Sequence, residues 1–450
     1  MDQSIDTKAD VNDWEIAPSG AASTLFWMLP GPAAFLEQVA AALNRYRAVA
    51  IRLNQRTVLG HQAFIGRALA LAAFAPTDAI EDAGWILLNV HDASQIDCDI
   101  AQHLCAQDGR PQIQASSLAD WHTRHRLAQG EPASAHIIIL RPNGEVAQRA
   151  AWAYLSEFAR ALPGSCGNTR VILLRIDNEP AWKATDLEEL ERTGQFAAAS
   201  FDGALSPDEM ASYLGMRLTI CGFGGTPSNV VEFPMKRLAR ALIAEFAGFD
   251  AHFAEGLLKM SQIELLALPQ SLGALAARMP VSDTVWRQTS PELGTLTTLE
   301  GRTIVHPLHQ WHLASHPGRF REAAAKELER MKWRAYLFAL MPWFEELRHV
   351  IIDELSPLLS LHLAQTNGER VRLTRNGKEV RTKIVDLECN DIHAMTRDEP
   401  RLSGRTVRER AALDLCFQVS RVRNEIAHMR APQVFDIQHL IGSLKSYPIA

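Results

Sequence analysis

The chain has few cysteines, no long apolar run and none of the features of an export signal. Its 450 residues include six scattered cysteines with no Cys-x-x-Cys pair, which argues against a disulfide framework or a cysteine zinc site. No stretch of 18 residues is both apolar and uncharged, so no transmembrane helix is expected. The first fifteen residues carry five acids and one lysine, unlike the basic and then apolar start of a secretory signal. We therefore expect a cytoplasmic protein without a membrane segment.

The composition is that of a globular chain, with 47% hydrophobic and 22% charged residues. A length of 450 residues predicts two to four domains. The charge is uneven: residues 301–450 hold 23 basic and 18 acidic side chains, whereas the remainder holds 23 basic and 34 acidic ones. The basic C-terminal part would suit a polyanionic partner, and ordinary variation between domains explains it equally well.

The first 200 residues alternate short apolar runs with helical patterns. This alternation predicts an α/β domain with a parallel sheet covered by helices on both faces. The predicted strands are Thr24–Leu29, Ala48–Leu53, Trp85–Val90, His136–Leu140 and Val171–Ile176. The predicted helices are Ala33–Asn44, His61–Phe74, Ile96–Cys105 and Ala150–Leu162.

The segment Leu29–Phe35 follows the first predicted strand and opens a helix, which is where a P-loop would lie. The signature GxxxxGK[ST] is missing, and with it the lysine for the phosphates and the hydroxyl for magnesium. Trp85–Asp92 has the form of a Walker B strand that ends in an acid. The domain resembles a degenerate P-loop NTPase, and a structural or sensing role is favoured over ATP hydrolysis.

The remaining chain is predicted to be mainly helical. Ser206-Pro207-Asp208-Glu209 is a helix start, and the segments Phe320–Leu340 and Pro342–Leu359 are two long helices. The predicted organisation is a flexible N-terminus (1–20), a P-loop-like α/β domain (21–200), a helical subdomain (201–280), a linker (281–319) and a C-terminal helical domain (320–450).

Asn376-Gly377 lies between two alternating segments and predicts a β-hairpin inserted in this helical domain. Six cations surround the turn and could contact phosphates, although an edge ribbon kept soluble by charge is an equal explanation. They are Arg370, Arg372, Arg375, Lys378, Arg381 and Lys383.

The motif Arg423-Asn424-x-x-x-His428 ends a predicted helix at Arg405–Met429, ahead of Pro432 and a last helix at Asp436–Ser446. In this context the C-terminal 130 residues resemble a HEPN domain, although the specific part of the resemblance covers only six residues. The resemblance implies an all-α bundle and a metal-independent endoribonuclease that leaves a 2′,3′-cyclic phosphate. It also implies that Arg423, Asn424 and His428 are catalytic and that neither metal nor cofactor is needed.

Helix geometry leaves the choice of arginine open. At 100° per residue, Arg421, Asn424 and His428 fall within about 60° of one another, whereas Arg423 lies about 140° from His428. Either the helix loosens before Pro432 or a second subunit completes the site. Arg421 and the hairpin residues Arg372, Arg375, Lys378 and Arg381 are the predicted RNA-binding residues.

These observations together predict a regulated ribonuclease, by analogy a bacterial toxin or an anti-phage defence effector. The expected partners are RNA, for example tRNA, a second HEPN copy in a homodimer, and a regulatory protein. The alternative is a non-catalytic HEPN scaffold for dimerisation or RNA binding, with an N-terminal lobe that senses a nucleotide or a partner.

Overall fold

The computed structural model divides the chain into two compact units. One comprises Met1–Glu209, Phe249–His252 and Gln288–Ile304, and the other comprises Met210–Gly248, Phe253–Arg287 and Val305–Ala450. The structure describes residues 20–72, 85–90, 95–107, 116–129, 136–161, 169–179, 182–219, 232–278, 285, 288–291, 293–364, 370–373, 379–398 and 406–447. The boundaries at residues 200, 280 and 319 that the sequence suggests stay a prediction.

The first unit is built on a five-stranded parallel sheet, which confirms the predicted α/β class. The strands are β1 (Ala48–Asn54), β2 (Trp85–Val90), β3 (Ile137–Pro142), β4 (Arg170–Asp177) and β5 (Phe196–Phe201). Their order across the sheet is β2-β3-β4-β1-β5. Every residue of strand β1, which lies between β4 and β5, is buried, and this is typical of a parallel strand covered on both faces.

Seven helices of the first unit lie within its described residues. They are α1 (Gly20–Phe26), α2 (Pro30–Arg45), α3 (His61–Leu71), α4 (Ile96–Gln107), α5 (Leu118–Gln129), α6 (Glu145–Arg160) and α7 (Ala184–Glu191). One sheet face forms a core with α4, α5 and α6 through alternate residues such as Val171 and Leu173. The period of two along a strand leaves Leu174 and Ile176 on the other face.

Two elements of this unit differ from the prediction. The run predicted as a strand at Thr24–Leu29 forms the end of α1 and the following turn. A short apolar run does not distinguish a strand from a buried helix, and Phe26 and Trp27 are buried here as a helical pair. Strand β5 was missed because its sequence, FAAASF, lacks the alternation of an ordinary strand.

The rest of the chain is mainly helical, as predicted. The helices are α8 (Pro207–Leu218), α9 (Glu232–Ala247), α10 (Ala251–Leu258), α11 (Gln262–Leu266), α12 (Leu272–Arg278), α13 (Pro307–Ser315), α14 (Arg321–Ala364), α15 (Cys389–Asp398), α16 (Val407–Ala427) and α17 (Val434–Ser446). Two ribbons pair β6 (Leu296–Leu299) with β7 (Arg302–Val305), and β8 (Arg370–Leu373) with β9 (Glu379–Thr382). No helix in the described part of the chain is long and apolar enough to cross a bilayer.

Helix α14 runs unbroken for 44 residues, although the sequence predicts a break before Pro342. A proline inside a helix removes one backbone hydrogen bond and clashes with the preceding turn, at a cost of about 3 kcal/mol. Packing against α9, α13 and α16 along its length offsets this local cost. Trp333 adds an anchor to α16 by donating from Nε1 to the carbonyl of Ile426 at 2.7 Å.

The helical unit holds a buried polar triad. The carboxylate of Glu255 accepts a 2.6 Å hydrogen bond from the Tyr213 hydroxyl and two of 2.6 Å from Arg217. All three residues are buried, so their mutual hydrogen bonds must offset the free-energy cost of removing these polar groups from water. Burial and the charge of Glu255 raise the pKa of Tyr213, which keeps its phenol protonated as the donor.

Candidate anion-binding site

The strand order creates a switch point at the carboxyl edge of the sheet. After β1, the chain continues through α3 to β2, which lies on the β4 side of β1. After β4, it continues through α7 to β5, which lies on the opposite side of β1. Open α/β sheets bind ligands at such a point, in the crevice beyond the strand ends. The β1–α3 connection, Gln55–Gly60, therefore occupies the position of a phosphate-binding loop.

This connection preserves little of the P-loop signature. Aligned on GxxxxGK[ST], Gln55 stands at the first glycine and Gly60 at the second, while His61 replaces the lysine and Gln62 the hydroxyl residue. Sequence reasoning missed the position because only one signature residue remains. The segment first considered, Leu29–Phe35, follows a helix, and the amide of Gly31 within it already donates to the Glu209 carboxylate at 2.5 Å.

Three backbone amides of the connection donate hydrogen bonds to Asn54, the last residue of β1. Asn54 Oδ1 accepts hydrogen bonds from the amides of Arg56 and Thr57 at 3.0 and 3.2 Å, and the Asn54 carbonyl accepts from Val58 at 3.2 Å. In a P-loop these amides would surround a phosphate. Asn54 takes that role here, so the connection cannot wrap a phosphate in the manner of a P-loop without losing these bonds.

Side chains also fix the connection. The Thr57 hydroxyl donates to the carbonyl of Asp202, and Arg56 Nη1 donates to the carbonyl of Leu293 at 2.5 Å. Arg56 is 3% exposed and lies 4.0 Å from the Asp250 carboxylate. Burial lowers the pKa of Arg56 to about 10, against the opposing effect of Asp250, so the guanidinium stays charged at neutral pH.

Gly60 is required where the connection enters α3. Its φ is +68°, and a Cβ at this position would lie 1.8 Å from Ser23 Oγ. The Gly60 carbonyl accepts a 3.0 Å hydrogen bond from Trp27 Nε1. The second glycine of the signature is therefore retained for a structural reason that needs no phosphate.

Beside this connection lies a cleft of about 470 Å³. Its apolar lining includes Ile65 of α3 and Leu87, Leu174 and Ile176 of the sheet. Its polar side is basic, formed by His61, Gln62, Arg67 and Arg141. None of the lining residues in the described part of the chain is acidic, and α3 adds the positive end of its dipole at His61.

The pKa of His61 reflects its burial and the basic side chains around it. Burial, followed by the positive charges of Arg141 and His252, lowers the pKa of His61 to about 4. The imidazole is therefore neutral at pH 7, chiefly because it is buried and secondly because Arg141 and His252 are close to it. A bound anion would reverse this effect and raise the pKa of His61.

The acids of the same sheet edge are already bound by arginines. Asp177, at the end of β4, lies 2.8 Å from Arg175 Nε and 3.6 Å from Arg52 Nε. Arg52 Nη1 also contacts Asp202 at 3.0 Å. Among the described residues, no group of three or more His, Cys, Asp or Glu is arranged to hold a metal ion.

The magnesium chemistry of a P-loop enzyme does not fit these residues. It needs a hydroxyl after the lysine and an acid at a strand end. Here Gln62 follows His61, and the basic Arg141 projects from the end of β3 into the cleft. Asp92, the acid predicted to end a Walker B strand, lies outside the described residues.

Within one chain, the residues of the C-terminal motif contact other partners and not one another, and their catalytic role stays a prediction. Arg423 Nη2 binds the Glu388 carboxylate at 2.9 Å, whereas Arg421 Nη2 binds Asp436 at 2.5 Å. His428 caps the C-terminus of α16, where its amide donates to the carbonyl of Asn424 at 3.0 Å, and its side chain is exposed. No hydrogen bond or ion pair between described residues joins His428 to either arginine.

The hairpin cations are only partly described. The register pairs Arg372 with Val380 and Arg381 with Val371 across an antiparallel ribbon. Arg375 and Lys378 lie outside the described residues, as does the Asn376-Gly377 turn. Binding of a polyanion by this ribbon stays a prediction.

No family model matches the sequence, and no curated protein matches it. Among solved structures, the chain is similar to Saccharomyces cerevisiae RIF2, at 9% identity and a TM-score of 0.30, over 58% of this chain and 92% of that one. It is similar to Aeropyrum pernix ORC1, solved in complex with DNA, at 14% identity and a TM-score of 0.27, over 93% and 96% of the two chains. Drosophila ORC bound to DNA gives 13% identity and a TM-score of 0.32, over 95% and 72%.

These findings correct the HEPN prediction. The similar structures reported above are RIF2 and origin-recognition proteins, not HEPN ribonucleases. The predicted HEPN fusion, its ribonuclease function and the toxin or defence role are withdrawn. RNA and a HEPN homodimer are likewise withdrawn as partners. The physical reason is that Arg421 and Arg423 each hold a separate carboxylate. At such low identities and TM-scores, neither DNA binding nor any partner carries over to this chain.

Proposed function

We propose that the α/β unit binds a small phosphate-bearing organic ligand in the cleft between α3 and the sheet, without hydrolysing it. The observation that carries this proposal is the convergence of Arg67, Arg141 and the start of α3 on an apolar cleft without an acid. Guanidinium groups bind phosphates through charge-assisted hydrogen bonds. The apolar lining suits the organic part of the same ligand, as in a nucleotide.

The proposed binding does not depend on magnesium. Arg141 takes the place of a metal-binding acid and would itself neutralise a phosphate. Gln62 offers an amide where magnesium would need a hydroxyl. This arrangement supports binding and sensing of the ligand, because the described lining of the cleft has no acid to activate water and no hydroxyl residue to hold magnesium. We also propose that the protein acts in the cytoplasm.

The test is calorimetric titration of the full chain with ATP, ADP and inorganic phosphate, each in EDTA and in magnesium. We expect ATP or ADP to bind in EDTA, with an affinity that magnesium does not increase. Arg141→Ala should weaken binding about 10- to 100-fold, as expected for loss of a hydrogen bond between charged groups. Arg149→Ala is the matched control, since Arg149 lies on α6, is 73% exposed and pairs with Glu145 instead.

If a ligand binds, either of two results would overturn the proposal. One is equal binding by the wild type and Arg141→Ala, which would move the ligand away from the cleft. The other is a strict requirement for magnesium together with release of inorganic phosphate, which would show a hydrolytic site. If none of the three ligands binds at millimolar concentration, the proposal is rejected for nucleotides and for inorganic phosphate alike.

A further inference from the structure

Two thiols meet where α15 begins against the middle of α16. Cys389 is the first residue of α15, and Cys416 lies within α16. Cys416 Sγ donates to the carbonyl of Cys389 at 3.2 Å, and each thiol shifts the pKa of the other. Their exposures are 3% and 0%, so the pair is enclosed by the helical unit.

This pairing distinguishes them from the other described cysteines. Cys98 and Cys105 lie seven residues apart on α4, and the Sγ atom of Cys98 accepts from Gln102 at 3.3 Å. Cys105 belongs to the core of the sheet unit. Of the four cysteines that the structure describes, only Cys389 and Cys416 are joined to one another by a hydrogen bond.

The surroundings of Cys389 favour its ionised form. It begins a helix, where the dipole stabilises a thiolate. The neighbouring Cys416 thiol lowers the pKa of Cys389, Arg423 and Arg348 lower it further, and burial and Glu388 oppose them. The Cys389 thiol and burial raise the pKa of Cys416.

The segment before α15 is held in place by the same arginines. Arg423 of α16 binds Glu388 at 2.9 Å. Arg348 of α14 donates to the carbonyls of Val385 and Leu387 at 2.9 and 3.3 Å. These contacts fix the start of α15 and hold the two sulfur atoms together in the folded chain.

We propose that Cys389 and Cys416 are a modification site at which hydrogen peroxide converts the two thiols to an intramolecular disulfide. The Cys389 thiolate attacks a peroxide oxygen, the O–O bond breaks, and the leaving hydroxide takes up a proton to become water. The Cys416 sulfur then attacks the Cys389 sulfenic acid; its proton leaves with the hydroxyl as a second water, and the S–S bond forms. The two sulfurs lose two electrons in total, which the peroxide gains.

The disulfide would join α15 to α16 across 27 residues of chain. It would constrain the unfolded chain more than the folded one, in which the sulfurs already meet. The consequence is a helical unit whose stability rises on oxidation and falls again on reduction by a dithiol.

The test uses the full-length protein treated with hydrogen peroxide, blocked with N-ethylmaleimide and mapped by mass spectrometry without reduction. We expect one cross-linked peptide pair that contains Cys389 and Cys416, an intact mass lower by about 2 Da, and loss of the cross-link in dithiothreitol. Cys98→Ser is the matched control and should give the same cross-link. Cys416→Ser should abolish it and leave a Cys389 sulfenic acid that dimedone traps.

The peroxide concentration is raised until Cys98 of the wild type is oxidised, so that a negative result is informative. Absence of the 389–416 cross-link at that concentration would overturn the proposal. So would a cross-link that forms only in denaturant, or one that joins either cysteine to a different partner. The wild-type map decides the question even where the Cys416→Ser variant does not fold.

Discussion

Lowering the pH from 7.5 to 4.5 should destabilise the protein through His61, which lines the basic cleft. Its pKa is about 4 in the folded chain, because of burial and then the charges of Arg141 and His252. In the unfolded chain a histidine has a pKa of about 6.5, so the unfolded chain binds the proton more strongly. The contribution of His61 to stability is therefore complete above about pH 6.5 and is lost as the pH falls towards 4.

The size of this loss follows from the two pKa values. At pH 4.5 most unfolded chains carry a proton on His61, whereas most folded chains do not. The difference in proton binding relative to pH 7.5 amounts to ~2.5 kcal/mol of unfolding free energy.

The assay is urea unfolding at both pH values for the wild type and for His61→Gln, followed by far-ultraviolet circular dichroism. Glutamine does not titrate, so the wild type should lose about 2.5 kcal/mol more than the variant between the two pH values. His103→Gln is the control, because His103 is exposed on α4 and should leave the pH dependence of the wild type unchanged.

Equal losses for the wild type and His61→Gln would refute the electrostatic account of the cleft. A larger loss of unfolding free energy in His61→Gln than in the wild type would show that His61 has the opposite effect on stability. If the ligand proposed above binds, proton and anion must favour each other, so its affinity should rise as the pH falls from 7 towards 5. Affinity that is flat over this range would place the anion away from His61.

Three further substitutions test the packing and hydrogen bonds of the two units. Asn54→Ala removes the acceptor of two loop amides and should cost about 2 kcal/mol in urea unfolding, whereas a loss below about 0.5 kcal/mol would show that water replaces it. Glu255→Leu leaves Arg217 buried without its carboxylate and should cost about 3–5 kcal/mol, measured by the same unfolding; an unchanged midpoint would contradict the triad. Gly203→Ala, with φ +71° and a Cβ 2.7 Å from the backbone of the β1–α3 connection, should lower the melting temperature more than Gly144→Ala, where φ is +87° but no atom lies within 4 Å. Equal shifts would show that the close contact relaxes.

The HEPN prediction failed because a short motif specifies residue types but not their partners. Arg423 and His428 have the spacing of the motif, yet Glu388 comes from a segment 35 positions away and takes the arginine. Arg421 is likewise held by Asp436 of the following helix. Neither carboxylate is part of the motif, so the pattern alone could not reveal that both arginines are engaged.

The predicted position of the phosphate loop is wrong for a different reason. The sequence predicts a strand at Thr24–Leu29, and this places the loop one element before its actual position. The correct connection, Gln55–Gly60, could be found only after the strand order placed β1 at the switch point. Strand order is set by pairing between residues far apart in the chain, such as Ala48 with Val171 and Phe196.

The sequence by itself determined the α/β class of the first unit and the helical nature of the rest. Four of the five strands show as short, mostly apolar runs, which is typical of strands in a parallel sheet covered by helices. Ser206 and Glu209 formed the predicted capping box, because both bonds lie within four residues. Only the tertiary structure decided that Arg141 faces His61 across a cleft and that Cys389 meets Cys416, because these contacts join elements that the chain separates by tens of residues.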